Sequence, residues 1–349
     1  MKKRLYVDFH VLQTVPPSCI NRDDTGSPKT AIYGGVTRAR VSSQAWKHAM
    51  RQAFVEESLL DEEDVGKRTK KVTELVEKEI AALAPDMDAA KLAKKVVKNT
   101  GLKVDEKKDE KKLKTLIFLS KAQVSALAEL GIEGCTEAQK YKDALGAAPS
   151  VDMVLFGRMV AEAASLNYDA AAQVAHSIST HAVQNEYDYF TAVDDCPDSD
   201  NAGASHLDTK EYNSATLYRY ATVNVMELER HLGAKKAAEV VRSFGEAFIR
   251  SMPTGSQNTF ANRTLPDAVY VTIREDQPVN LCGAFERAVR KSALQAYAQQ
   301  LYQSFAEAPA KSFTVGTGLE ALAPAQPLNT MLDALEEAVK ENLTGNEVE

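Results

Sequence analysis

Asn21-Arg22-Asp23-Asp24, then Ala31-Ile32-Tyr33-Gly34-Gly35, then Arg38-Ala39-Arg40-Val41-Ser42-Ser43-Gln44, then Trp46-Lys47-His48-Ala49-Met50-Arg51 follow one another in one stretch, residues 21–51. A polar turn and a double glycine lead to two alternate arginines. A Ser-Ser cap then opens an amphipathic helix, expected over about Ser43–Glu57. Gln44, Lys47 and Arg51 are spaced by three and then four residues, so they share one helix face. Trp46, Ala49, Met50 and Phe54 fall on the other. Backbone N–H groups at a helix start attract anions, and a basic face continues that attraction along the axis. The stretch therefore suits a phosphate chain. It equally suits a Ser-capped helix whose wet side carries Lys and Arg, a common feature of globular proteins.

The rest of the composition narrows the class. With a net charge of -7, the chain of 349 residues is not a basic nucleic-acid binder as a whole. Its charge is uneven: residues 1–60 hold nine Lys or Arg against five Asp or Glu. An acidic protein can bind RNA when its positive charge is gathered in one groove. Cys19, Cys135, Cys196 and Cys282 are widely spaced and include no C-x-x-C, which argues against a zinc ribbon or redox pair and suits a reducing cytoplasm. Met1-Lys2-Lys3-Arg4 resembles the start of a signal peptide, but Asp8, His10 and Gln13 interrupt the apolar run it needs. No run approaches a membrane span.

Outward from the opening stretch, residues 4–15 alternate as a half-buried strand. Leu5, Val7, Phe9 and Val11 point one way; Tyr6, Asp8, His10 and Leu12 point the other. Pro16-Pro17-Ser18 is expected to end it. Residues 60–148 are rich in Lys, Glu, Ala and Leu, with helical periods at about 68–84, 88–98, 111–130 and 136–145. This reads as a helical insertion, and the mixed-charge run Asp105–Lys112 as a solvated face or loop. A helix is expected over Tyr168–His181. Residues 187–190 then hold three aromatics, Tyr187, Tyr189 and Phe190. A polar link, Cys196–Gly203, and a returning segment, Ser205–Ala215, complete a hairpin-like arm, which leads into a long alternating strand, Leu217–Leu228. Its aromatics either stack on bases or pack on the body. Further expectations are a helix Ala234–Met252, a loop Pro253–Arg263 and a strand Asp267–Arg274 with Val269, Val271 and Ile273 inward. A helix Asn280–Phe305, a strand near Ser312–Val315 and a helix Thr330–Asn342 follow. Apart from the insertion, strand and helix alternate, as in an α+β, RRM-like sheet with helices on one face.

Catalytic patterns are sparse. His176 and His181 are five apart, off the spacing that aligns metal ligands on a helix, and read as structural. Asp198–Gly203 lacks the ligands of a calcium loop. There is no G-x-S-x-G, P-loop or G-x-G-x-x-G. Asp23 and Asp24 beside Arg22 either serve a metal-assisted phosphodiesterase or brace their loop. His10 alone is a weak acid–base candidate.

The ordered set Cys19-Ile-Asn-Arg-Asp-Asp, Ala31-Ile-Tyr-Gly-Gly, Arg40-Val-Ser-Ser-Gln, Gly157-Arg-Met, Ser177-Ile-Ser-Thr-His, Asp188-Tyr-Phe-Thr-Ala-Val-Asp-Asp, Ser205-His-Leu and Leu217-Tyr-Arg-Tyr-Ala resembles the CasC family. These are backbone subunits of the type I-E CRISPR Cascade complex. The likeness runs through most of the chain and is weakest in the insertion and the C-terminal tail. It implies an RRM/ferredoxin-like palm (1–59, 172–182 and 217–349), helical fingers (60–171) and a β-hairpin thumb (183–216). It also implies a non-catalytic subunit without cofactor or metal, polymerising in the cytoplasm along one CRISPR RNA. The thumb of each subunit would reach over the RNA towards its neighbour, so that every sixth base is displaced. The remaining bases would be presented to a target DNA strand, so that pairing reads sequence while protein holds the backbone. Implied partners are neighbouring copies and the subunits CasA, CasB, CasD and CasE, with no membrane.

By the same resemblance, Ser42, Gln44, Lys47 and Arg51 contact the RNA backbone, with Arg22, Arg38 and Arg40 in support. Met159 and Phe190 flank the displaced base, with Thr191 beside them. Two positions depart from the family: Tyr189 stands where tryptophan is frequent, and Val36-Thr37 where basic residues are usual. Related backbone subunits of type III complexes resemble this fold and cut target RNA with an aspartate. That keeps a metal-dependent endoribonuclease using Asp23 or Asp24 as the competing expectation.

Overall fold

The computed structural model describes residues 4–105, 109–160, 163–192, 206–288, 310–316 and 319–345. Its contacts gather into two compact units. One comprises Met1–Ala53, Val174–Met226 and Val241–Glu349; the other comprises Phe54–Gln173 and Glu227–Val240.

The first unit begins with β1 (Tyr6–Ser18), which runs through the expected Pro16-Pro17 stop. Neither proline leaves the strand, because this end has slipped register: Val15 faces Ala215 but Ser18 faces Asn213. β2 (Thr30–Tyr33) and β3 (Val36–Val41) form a hairpin turned by Gly34 and Gly35, with φ of 59° and 77°. Positive φ at both central residues is what a tight two-residue hairpin requires. Gly34 is also needed for space, since a Cβ there would lie 1.6 Å from the Glu286 carbonyl oxygen. α1 (Ser43–Glu56) follows directly, close to its expected span.

The second unit is mainly helical. It contains β4 (Lys67–Thr69), α2 (Val72–Leu83), α3 (Ala89–Thr100), β5 (Val104–Asp105), β6 (Asp109–Leu113), β7 (Ile117–Leu119), α4 (Lys121–Ile132), α5 (Ala138–Gly146) and α6 (Val151–Phe156). Val76, Ile80, Val96, Val97, Leu127, Tyr141 and Leu145 form its core. The helix expected over 111–130 begins only at Lys121. Before it, Ile117–Leu119 is a buried strand paired to Lys67–Thr69, and Ser120 with Gln123 forms a capping box that fixes the helix start.

The helix expected over Tyr168–His181 is replaced by two short strands, β8 (Ala172–Val174) and β9 (Ser177–Ser179). β9 bonds β3 on one side and a long neighbour on the other, and that pairing overrides local helical periodicity. The arm is β10 (Glu186–Ala192) with β11 (His206–Asn224). The expected link Cys196–Gly203 lies outside the described residues. After β11 come α7 (Val225–Leu232), α8 (Ala234–Arg250), the four-residue α9 (Gln257–Phe260), β12 (Ala268–Arg274), β13 (Lys311–Gly316) and α10 (Leu328–Thr344). Of the helix expected over Asn280–Phe305, Leu281–Phe285 is a 3₁₀ turn and residues 289–305 lie outside the described set. No described helix is long and apolar enough to cross a membrane.

The main sheet runs β13-β12-β1-β11-β9-β3-β2, every neighbouring pair antiparallel. One face packs on helices: Phe9 lies 5.6 Å from Phe244 and 6.2 Å from Phe248 between ring centroids. Gly245 permits this approach, since a Cβ there would meet Phe9 at 2.8 Å and Leu332 of α10 at 3.2 Å.

The opposite face was expected to be wet and is not. Leu12, Tyr218, Tyr220 and Tyr270 lie with Leu281, Phe285 and Leu319 in a second small core. All seven residues of β12 are buried, not only the expected alternate three. Asp8 and His10 are caught in this layer. The Asp8 carboxylate accepts from Tyr220 Oη at 3.1 Å and from the Val279 N–H at 2.8 Å. Burial pushes its pKa up to about 6. Burial, with Arg274 nearby, pushes His10 down to about 3, so the imidazole is neutral. His10 is a core residue, stacked near Tyr220 and Tyr270.

The two groups oppose each other in acid. The stability that Asp8 contributes is complete below its unfolded pKa near 4 and is lost as pH rises through about 6. That of His10 is complete above 6.5 and is lost as pH falls toward about 3. Removing His10 with His10→Phe should therefore raise the variant relative to its parent by about 1.4 kcal/mol per pH unit of acidification between about pH 6 and 4. Urea unfolding across that window reads the difference. Parallel pH profiles contradict the account.

Candidate nucleic-acid interface

The start of α1 is assembled from three separate parts of the chain. Asn21 Oδ1 accepts the Ser42 N–H at 2.9 Å. Ser42 Oγ accepts the Ala45 N–H at 3.3 Å, and His176 Nδ1 accepts the Ser43 N–H at 2.8 Å. Side-chain acceptors thus take up amides that a helix start leaves without internal partners. Burial, then the charges of Arg40 and Lys29, lower the His176 pKa and keep the ring a neutral acceptor.

The outer face of α1 is as its spacing implies. Gln44 is exposed and Lys47 and Arg51 are half-buried, while Trp46, Ala49, Met50 and Ala53 are buried. Burial lowers the Lys47 pKa. The helix is seated by Trp46, whose Nε1 donates to Ser177 Oγ at 2.9 Å. Beneath it, the Arg219 guanidinium lies 3.8 Å from the Trp46 ring centroid and 4.7 Å from that of Phe248. Its nitrogens donate to Gln13 Oε1 at 2.6 Å and to the Phe248 carbonyl. Full burial pulls its pKa to about 9, still above neutrality, so it remains a cation.

Beside the helix start, Ser18, Asn21, Lys29, Arg40 and Asn213 line a shallow, open pocket. Arg40 also donates Nε to the Thr30 carbonyl at 3.2 Å. Lys29 and His176 were not singled out as binding residues. No local spacing links them to α1, and only the β3–β9 pairing and the β2–β3 hairpin bring them there.

Arg38 is placed otherwise than expected. It is wholly buried and donates to the carbonyls of Tyr33, Ser179, Phe285 and Glu286 at 2.8–3.1 Å. Its guanidinium is a strut that ties the β2–β3 hairpin to the 3₁₀ turn and presents no donor at the surface. Ser42 is also buried, and caps the helix as described. Arg22 is exposed, and its backbone forms an antiparallel bridge to Pro28 across the loop that follows it. Asp23 braces that loop: Oδ1 accepts from the Thr25 N–H, Thr25 Oγ1 and the Ser27 N–H. These bonds, led by the Thr25 hydroxyl, hold its carboxyl below the usual range. Asp24 is exposed. Among the described residues no group of three or more His, Cys, Asp or Glu is arranged to hold a metal ion.

In the second unit, Met159 is 84% exposed between buried neighbours. Gly157 has a φ of 77°, and Arg158 is sunk beneath the surface. Arg158 donates to the carbonyls of Leu166 at 2.7 Å, Leu145 at 2.8 Å and Phe118 at 3.2 Å, and to Gln123 Oε1 at 3.3 Å. The Gly-Arg-Met sequence is thus a turn, an anchor and a displayed thioether. On the arm of the first unit, Tyr187 and Tyr189 point to one face, 66% and 65% exposed. Phe190 and Thr191 are exposed as well. Of the two readings of these aromatics, packing on the body does not hold for the tyrosines.

The family model described as CT1975-like protein matches residues 7–341. The chain belongs to this CasC family. Among solved structures, this CasC-family chain is similar to one titled "CRISPR RNA-guided surveillance complex, pre-nicking". The two are 32% identical, with 96% of this chain and 100% of that one covered, at a TM-score of 0.82. A second, titled "CRISPR RNA-guided surveillance complex", is 29% identical over 95% and 99% of the two chains, at a TM-score of 0.63. Curated proteins yield no match. The antiparallel sheet with helices agrees with the RRM-like palm of this family.

The anchor and the displayed residue of Gly157-Arg158-Met159 should separate in stability. Arg158→Ala removes its bonds to the Leu166, Phe118 and Leu145 carbonyls, of which Leu145 keeps Gln123 Nε2, and should cost about 2–4 kcal/mol in urea unfolding. Met159→Ala, at the exposed neighbour, should change it by less than about 0.5 kcal/mol. Equal effects contradict the division of roles.

Proposed function

We propose that this protein is a non-catalytic backbone subunit of a type I-E CRISPR surveillance complex, which holds guide RNA along the outer face of α1. The supporting observation is the likeness, over nearly the whole chain, to a chain of an RNA-guided surveillance complex. Lys29 and Arg40 beside the start of α1, with Lys47 and Arg51 spaced along its outer face, give that likeness a physical basis. In this reading Gln44, Lys47, Arg51, Arg40 and Lys29 touch the RNA backbone, and Arg22 lies at the edge. Ser42 contributes through the cap, and Arg38 only by holding the hairpin.

Copies line up along one cytoplasmic CRISPR RNA with the subunits CasA, CasB, CasD and CasE. Residues 1–59, 172–182 and 217–349 act as palm, 60–171 as fingers and 183–216 as thumb. Met159 and Phe190, with Thr191, flank each displaced base, and the remaining bases pair with a target DNA strand. The protein holds geometry and leaves sequence to base pairing. The endoribonuclease reading gains no support at Asp23, whose Oδ1 is committed to its own loop.

Electrostatic holding has a salt signature. On single-stranded RNA, each phosphate that a cationic side chain neutralises adds about 0.7 to the steepness of log K against log salt. Lys47→Ala with Arg51→Ala should therefore weaken guide binding and flatten the slope by about 1.4 per subunit site. Weaker binding with an unchanged slope would remove α1 from the RNA path.

A further inference from the structure

The loop Pro253–Arg263 carries no role so far. It is polar, yet its backbone is tightly determined. The four-residue α9 is enclosed by Ser256 and Ala261, both non-glycine residues in the left-handed region, with φ of 53° and 47°. L-residues rarely adopt that conformation, and it persists only where the surroundings enforce it. Two contacts do so. At one end, Gly255 sits on the backbone just before the stretch 21–51. A Cβ there would lie 2.3 Å from the Ile20 carbonyl oxygen and 3.0 Å from that of Cys19. The next residue, Asn21, accepts the Ser42 N–H at the start of α1.

At the other end the turn supports the arm. Lys210 and Tyr212 alternate onto one face of β11, which continues from the sheet into the arm without a break. Lys210 Nζ donates to Thr259 Oγ1 at 2.9 Å and lies 5.3 Å from the Phe260 ring centroid. The Tyr212 and Phe260 rings are 5.8 Å apart and tilted by 49°. A two-stranded ribbon leaving a sheet has little stability or fixed direction of its own. This one is propped at its base, on the face of Lys210 and Tyr212, by the Phe260 side chain.

We infer that the Gly255–Ala261 turn is a positioning wedge. Through Phe260 it sets the angle of the arm relative to the α1 face, and so fixes where along the RNA the arm meets the strand. This rests on the RNA-holding function proposed above. Phe260 and Lys210 are positioning residues and need not touch RNA themselves.

The test uses the whole guide-loaded complex carrying Phe260→Ala, Phe260→Tyr or Lys210→Gln, with nuclease and chemical footprinting of its guide RNA. The parent is expected to show a regular repeat of exposed positions. Phe260→Ala should keep its bound guide but lose contrast in that repeat, and Phe260→Tyr, which restores the ring, should recover it. Lys210→Gln should blur the repeat in the same direction, and it decides the matter if Phe260→Ala does not accumulate. A parental repeat in Phe260→Ala, or in Lys210→Gln where the first is absent, overturns the wedge, even if the melting temperature falls. A parent with bound guide but no repeat overturns the proposed RNA arrangement, and the wedge with it.

Discussion

The Arg219 guanidinium lies between the Trp46 and Phe248 rings and is held by Gln13 and a backbone carbonyl. It joins the central strand pair, α8 and α1 through one buried cation. Isolated burial of such a charge is costly, and the site offsets this with aromatic faces and polarised oxygens. Arg38 and Arg158 follow the same rule in other places, each donating mainly to backbone carbonyls. Carbonyl dipoles take up most of the donors without neutralising the charge, although Arg219 Nε has no partner among the described residues. All three therefore add to the positive potential of a chain whose overall charge is -7.

These buried arginines also explain how the displayed residues are held. α1 presents Gln44, Lys47 and Arg51 because Trp46 is fixed from below. Met159 stands out because Arg158 is anchored inside. In both cases the residue that meets solvent is set by an adjacent one that does not. A change at the hidden residue should therefore disturb presentation as well as stability, whereas the displayed side chain can be altered at little structural cost.

Much of this was legible in the order of residues, where signals were local. The Ser-Ser cap with three- and four-residue spacing placed α1 almost to its ends, whereas the double glycine was read without the β2–β3 hairpin that it turns. Other readings failed where a distant segment decided the outcome. β1 alternates like a half-wet strand, but Leu281, Phe285 and Leu319, far away in sequence, cover its polar face. Residues 168–181 have a helical period, yet β9 is captured between β3 and β11. Arg38 and Arg40 alternate on one strand and look equivalent. They differ because the Phe285 and Glu286 carbonyls reach only the first. Lys29 and the neutral His176 come beside the start of α1 through strand pairing alone, which no local pattern encodes.

The central claim is that this face holds one defined guide RNA within an assembly. Its most direct test is purification of the tagged chain from cells that carry its CRISPR array, followed by sequencing of the bound nucleic acid and identification of the accompanying proteins. The account predicts RNA of uniform length with array-derived sequence, together with partner subunits in fixed ratio. Recovery of the chain with heterogeneous cellular RNA, or with none, would contradict it.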